Sequence, residues 1–426
     1  MKKILLSSAL CTALVYGLDV LPAEKRTFDQ SKFIPDISLI MDASYVDRNV
    51  KDADVKHLAV PGVVHGLLGS HSHGDDNHAT YNVDNGFNLN YAELVLSSSV
   101  DPFFTMDGIF HFSENGVEIE ELFFTSNALG YGTKVKGGKF NSNFGYLNEQ
   151  HHHTWDFADM PLVYEAFLGM HGINETGAQI QWTAPTPFYL MAGFEILQGE
   201  NEQMFGNQSV DLTVINPLAI PQTAEASDGA GLYVGYIKAS HDIGDTTILG
   251  GISYAQGDSM IDHSVDEEPT VFSGDAKLYG ADLVILHALD SYSSIKWQSE
   301  FLARELDGIE YANNSLGVFI SPTMLKKQSG LYSQLIYTHD KNWRMGVRYD
   351  TILQNDIKKN GANVEKPDGL DKYSAMVEYH TSEFARFRLQ YSRDNSMFDE
   401  DGARKKIDTI ILQANISIGA HAAHSF

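Results

Sequence analysis

Apolar side chains recur at every second position through the last third of the chain. Trp343, Met345, Val347 and Tyr349 alternate with Arg344, Gly346, Arg348 and Asp350. Ala385, Phe387, Leu389 and Tyr391 alternate with Arg386, Arg388, Gln390 and Ser392. The same period runs through Ile410, Leu412, Ala414, Ile416 and Ile418, and through Ile295, Trp297, Ser299, Phe301 and Ala303. Neighbouring side chains of a strand point to opposite faces, so each segment has one oily face and one wet face. The wet faces carry charge in mid-strand, which suits an aqueous lumen better than a packed core.

Extending this pattern along the chain predicts strands near 36–46, 87–98, 104–113, 117–125, 132–140, 177–183, 187–197, 230–241, 246–256, 274–287, 293–305, 328–338, 342–353, 371–380, 384–393 and 406–418. It is weakest over 36–46, 117–125 and 177–183, which leaves fourteen and eighteen as the neighbouring counts. Short connections (Thr183–Pro187, Asp242–Asp245, Ala288–Ser293, His339–Lys341, Thr381–Glu383) mostly alternate with long ones at 141–176, 198–229, 257–273, 306–327, 354–370 and 394–405. Tight turns on one side and long loops on the other are the habit of outer-membrane barrels. The expected fold is therefore all-β: a single antiparallel transmembrane β-barrel of about sixteen strands, with short periplasmic turns and long extracellular loops.

The amino terminus departs from this pattern. Lys2 and Lys3 precede an apolar run from Ile4 to Tyr16 and then Gly17, the layout of a secretory signal, here residues 1–17. Residues 18–426 are then the barrel. The single cysteine, Cys11, falls inside the signal, so disulfides and thiolate metal sites are excluded from the rest. The chain carries a net charge of −26, and removing Lys2 and Lys3 takes it to −28. A nucleic-acid partner is excluded, because that needs a basic face. The expected partners are outer-membrane lipid and lipopolysaccharide, the barrel-insertion machinery, small solutes or metal cations, and further copies of the chain in a homotrimer.

Two histidine clusters carry candidate chemistry. The 57–85 connection holds five histidines, among them His65, His71, His73 and His78, together with Asp75 and Asp76. Imidazoles and carboxylates on a flexible loop can close around Zn²⁺, expected as a transient guest and not a required cofactor. The 141–176 connection holds His151, His152 and His153 beside Glu149, Asp156 and Asp159. These histidines are candidate metal ligands too, although consecutive side chains point different ways. This connection is expected to fold into the lumen as a constriction lined by Glu149, Asp156 and Asp159. The wall opposite would contribute Lys296, Arg304, Arg344, Arg348, Arg386 and Arg388. Acidic and imidazole groups at a narrowing bias a pore toward cations. The bland account of the basic wall residues is a set of solvated charges that keep the lumen wet. His111 and Ser113 share a strand face without a third partner, so no enzymatic role is expected.

Two stretches carry a resemblance. One runs from Glu121 to Phe140 and on from Gly145 to Asp159, including Tyr146-Leu-Asn-Glu-Gln-His151; the other is Ser417–Phe426. They resemble zinc-regulated outer-membrane receptor-like proteins, which are distantly similar to phosphate-selective porins. The resemblance implies an outer-membrane barrel whose expression responds to zinc scarcity. The barrel pattern, the acidic charge and the 57–85 histidines together give the expectation of a porin or channel for small solutes, cation-preferring and aiding uptake of zinc or another divalent metal. The alternatives are a structural or adhesive barrel and an anion-selective porin.

Overall fold

The computed structural model describes residues 35–419, apart from 56, 66–80, 115, 202, 227–228 and 265–268. Sixteen strands close into one antiparallel barrel: β1 Asp36–Arg48, β2 Gly86–Ser99, β3 Phe104–Ser113, β4 Gly116–Ser126, β5 Thr133–Asn141, β6 Asn174–Thr183, β7 Tyr189–Leu197 and β8 Leu232–Ile243, then β9 Thr246–His263, β10 Thr270–Ala288, β11 Ser294–Asn313, β12 Thr323–His339, β13 Trp343–Lys359, β14 Leu370–Ser382, β15 Ala385–Phe398 and β16 Arg404–Gly419. Each pairs with the next, and β1 closes the ring on β16 through Leu39 opposite Ile418 to Arg48 opposite Thr409. Closure removes the exposed sheet edge that hydrocarbon does not tolerate.

Every predicted strand is present. The outward positions are the apolar ones: Trp343, Met345, Val347 and Tyr349 are exposed, as are Phe387, Leu389, Tyr391, Ile410, Leu412, Ile416 and Ile418. From Ile410 to Ile418 the apolar face covers about 27 Å of strand, comparable with the ~25 Å apolar band of such barrels. Paired aromatics mark two levels of that face, Trp343 with Tyr379 and Tyr349 with Tyr373.

Strand length is the main correction. The connections expected at 257–273, 306–327, 354–370 and 394–405 are largely strand. β11 alone has 20 residues, roughly 66 Å of extended chain, well beyond what the apolar band needs. Beyond the band the outer face turns polar while the inner face carries apolar residues such as Met260, Val271 and Tyr311, so the oily-out, wet-in alternation no longer marks strand from loop. There the outer face carries ion pairs, Lys327 to Glu305 at 2.8 Å and Arg393 to Asp408 at 2.8 Å.

Two bulges interrupt the ladder in the β1–β4 sector. Opposite Asp42 and Ala43, β2 offers Tyr91 and Leu89, so Asn90 is the extra residue. Opposite Ile109 and Phe110, β4 offers Glu121 and Ile119, so Glu120 is extra. A bulge puts two consecutive side chains on nearly the same face. Here that turns both Glu120 and Glu121 inward, between outward Ile119 and Leu122.

Candidate functional site

The connection 142–173 lies inside the barrel, fastened to the wall on three sides. Wall carboxylates take up its backbone N–H groups on the first side. Glu195 accepts from the backbone of Asn143 at 3.0 Å, and Glu300 accepts from Tyr146 and Leu147 at 2.8 and 3.0 Å. Glu300 also receives the hydroxyls of Tyr164 and Tyr332. Gly145 has φ +64°, and a Cβ there would run into the Tyr164 hydroxyl and the Glu300 carboxylate, so only glycine lets the chain pass so close. Asp350 accepts from the Leu162 N–H at 3.0 Å, where it neutralises the start of the helix Leu162–Leu168. That helix is buried all round and joins Phe140, Phe144, Trp155 and Tyr332 in an apolar cluster within the barrel.

The second side is a network of opposite charges. Asp156 meets Lys296 at 2.7 Å, Arg344, and the Gln334 amide at 2.7 Å. Asp159 meets Lys372 at 2.6 Å and Arg348 at 2.9 Å. Burial opposes the Asp156 charge, but Lys296 and Arg344 override it and hold its pKa down at about 2. Burial likewise opposes the charge of Asp159, and Arg348 and Lys372 hold it below the usual carboxylate range.

The third side reverses the polarity: the wall supplies carboxylates and the loop supplies imidazoles. His151 Nε2 lies 2.9 Å from Glu121 and its Nδ1 3.4 Å from Glu120. His153 Nδ1 lies 3.2 Å from Glu93. His111 Nε2 on β3 sits between Glu93 at 3.1 Å and Glu120 at 2.5 Å. Burial disfavours a charged His151, yet Glu120 and Glu121 carry its pKa above the usual imidazole range.

His152 does not join its neighbours. Its ring stacks on Tyr81 with centroids 4.2 Å apart, Nδ1 lies 3.2 Å from the Tyr91 hydroxyl, and Nε2 lies 3.2 Å from the Ala158 carbonyl. That network assigns the proton to Nε2, donating to Ala158, while Nδ1 accepts from Tyr91. Burial then holds the imidazole at about 4, neutral at ordinary pH.

Of the expected lining residues, Glu149, Lys296, Arg344 and Arg386 keep some side-chain access to solvent. Arg304, Arg348 and Arg388 point inward as expected but are buried, not solvated. Inserted chain covers them: Arg388 donates to the Trp155 carbonyl, Arg348 to that of Asp159, and Arg304 to those of Val63 and Phe167. His71, His73, Asp75, Asp76 and His78 lie outside the described residues, as does the expected signal, and only the backbone of His65 is described. Glu93, His111, Glu120 and Glu121 were not expected at the site. For the two adjacent glutamates a signal existed: outward Ile119 and Leu122 are three apart where the period is two, which is the mark of a bulge.

Two adjoining hollows lie beside the inserted loop, sharing Tyr81, His152, Trp155, Met160 and Met170. The larger is lined by Arg48 and Lys372 against Asp159, Glu165 and Asp394.

An Aquifex aeolicus (strain VF5) protein described as "Uncharacterized protein" is 45% identical over 400 residues, spanning 94% of this chain and 81% of the relative. The chain belongs to the family of this Aquifex aeolicus protein. No protein-family model matches this family member. Its fold recurs in the loop-L8 deletion mutant of OmpT, an outer membrane protein of Vibrio cholerae: 12% identity, TM-score 0.50, 90% of this chain and 99% of the other. It recurs also in the outer membrane channel DcaP of Acinetobacter baumannii, at 10% identity and TM-score 0.50, covering 92% and 100%. At these identities the chain shares with both the fold of a closed antiparallel β-barrel.

Proposed function

We propose that this barrel sits in the outer membrane as a non-catalytic channel for small solutes, narrowed by the 142–173 loop and preferring cations. The observation that carries this reading is the loop itself, held inside a closed sixteen-strand barrel by polar anchors and leaving charged hollows along one flank. The larger hollow counts three carboxylates against two cationic side chains, and the chain as a whole is at −26. Both favour cations near the narrowing. The finer form of the reading is a barrel that aids zinc or another divalent metal across, in line with the zinc-regulated receptor-like proteins the sequence resembles.

A closed structural or adhesive barrel is the competing reading, and the apolar cluster around the inserted helix supports it. Planar-bilayer recording of the purified protein under a KCl gradient separates the two. The channel reading expects unitary conductance with a reversal potential on the cation side. Silence in the bilayer together with no liposome swelling in sugars would leave the structural barrel; an anion-side potential would overturn the cation preference.

A further inference from the structure

We propose that Glu93, Glu120 and His151, supported by His111, His153 and Glu121, bind one borderline divalent metal ion where the inserted loop meets the β2–β4 wall. Glu93, Glu120 and His151 each offer a ligand atom, and these atoms lie within 4.8 Å of one another. Ligands around Zn²⁺ stand about 2.0–2.2 Å from the ion. Small side-chain rotations therefore suffice to close the shell, with no movement of the barrel. The bulge at Glu120 is what makes the geometry available, since a regular strand would send one of the two glutamates into lipid.

Charge leads to the same place. Three buried or nearly buried carboxylates converge here, and among the described residues their ion-pair partners are imidazoles alone. Buried carboxylates need hydrogen bonds or a compensating cation. Lysine and arginine provide the cation for Asp156 and Asp159; here no such side chain does among the described residues. A divalent ion would supply the missing charge and leave the imidazoles neutral, as ligands must be. A second observation is independent of the cluster's composition. Glu93 Oε1 is buried without a hydrogen-bond partner among the described residues. Such an atom is costly to leave unsatisfied.

The donor chemistry selects the ion. Imidazole nitrogen with carboxylate oxygen and no thiolate suits Zn²⁺, Co²⁺ or Ni²⁺, whereas Ca²⁺ and Mg²⁺ call for oxygen shells. Because His151 and His153 belong to the loop while Glu93 and Glu120 belong to the wall, the ion would staple the loop in place. Metal binding does not depend on the channel reading; only the conductance arm of the test does.

The test uses the full-length barrel in detergent, stripped with a chelator and titrated calorimetrically with Zn²⁺. Co²⁺ serves as a spectroscopic probe of nitrogen ligation. One ion per chain is expected, with Glu120→Gln and His151→Ala each weakening binding by ~10-fold or more. His152→Ala, whose ring faces Tyr81 and Tyr91, leaves affinity unchanged. So does the triple change His71→Ala, His73→Ala, His78→Ala. Heat-modifiable gel mobility reports that each variant folds, and Glu93→Gln substitutes for any that does not. Absence of saturable binding overturns the site. So does binding indifferent to Glu120→Gln and His151→Ala, or binding abolished by the triple change. In bilayers, Zn²⁺ should lower the conductance of the parent and not of His151→Ala. Binding without any conductance leaves the metal site standing and overturns the channel. Conductance without binding does the reverse.

Discussion

The inserted loop is fastened to opposite parts of the wall by opposite chemistry. Toward β11–β15 the acidic side chains of the loop meet cations of the wall: Lys296, Arg344, Arg348 and Lys372 enclose Asp156 and Asp159. Toward β2–β4 the wall is anionic and the loop carries imidazole: Glu93, Glu120 and Glu121 face His151 and His153. The first arrangement contains its own counterions, and its strength is set once the barrel has folded. The second depends on an added proton or metal ion, so its strength can be adjusted from outside. A loop held by one fixed and one adjustable anchor can be tightened or loosened without unfolding the barrel.

Removing a carboxylate from the fixed side should have the largest effect. Asp159→Ala would strand Lys372 and leave Arg348 with Asp350 alone, and deleting one member of a buried ion pair costs about 3–5 kcal/mol. The expected outcome is a loop released from the β13–β14 wall, read as higher unitary conductance, protease cleavage within 142–173 and a lower unfolding temperature. A variant with parental conductance and stability would show that the cationic wall does not hold the loop.

How far the sequence foretold this architecture depends on the region. Strand identity was legible wherever one face meets lipid, because outward Trp343, Met345 and Val347 must be apolar whatever the lumen holds. Strand ends were not, because past the lipid band Lys327 and Glu305 serve the outer face as readily as a loop would. The 141–176 connection was legible as a candidate constriction from its acids and imidazoles. Its anchors were not: Asp156 and Arg344 are 188 positions apart in the chain and meet only because the barrel closes. The donors at Glu93 and His111 look like ordinary wet-face residues until β2, β3 and β4 are set side by side.

The carboxylate that holds the loop backbone ranks next. Glu300→Gln would leave one acceptor oxygen where two N–H groups and two tyrosine hydroxyls now converge. Each stranded buried donor costs about 1–3 kcal/mol. Thermal unfolding should fall, by less than in Asp159→Ala. An equal or larger fall would place the main anchor at the neutral backbone contacts and not in the ion pairs.

Acidification sharpens the contrast without mutation. Asp156 has its pKa depressed to about 2, so its contribution is fully present above the ordinary aspartate value near ~3.9 and is lost as pH falls toward 2. Conductance should therefore rise between about pH 4 and 2, and scanning from pH 5 to 8 should not disturb the Asp156 anchor. Asp156→Asn, which keeps the shape and loses the charge, should abolish the acid transition. An acid transition that survives in that variant would assign it to another carboxylate.

The smallest effect should come from the middle histidine. His152 follows His151 in sequence, yet it faces away from every carboxylate of the cluster and is satisfied by one hydroxyl and one carbonyl. Burial keeps it neutral, so it adds no charge to either anchor. His152→Phe would keep a flat ring against Tyr81 and lose both hydrogen bonds, a cost of about 1–2 kcal/mol with the Tyr91 hydroxyl left inside. Unfolding temperature should drop slightly, while conductance and zinc affinity stay at parental values. If the change instead matched His151→Ala in zinc affinity, the three consecutive histidines would act as one ligand strip. The division between a packed imidazole and two liganding ones would then be lost, and with it the claim that the anchor toward β2–β4 is a discrete site and not a diffuse patch of imidazole.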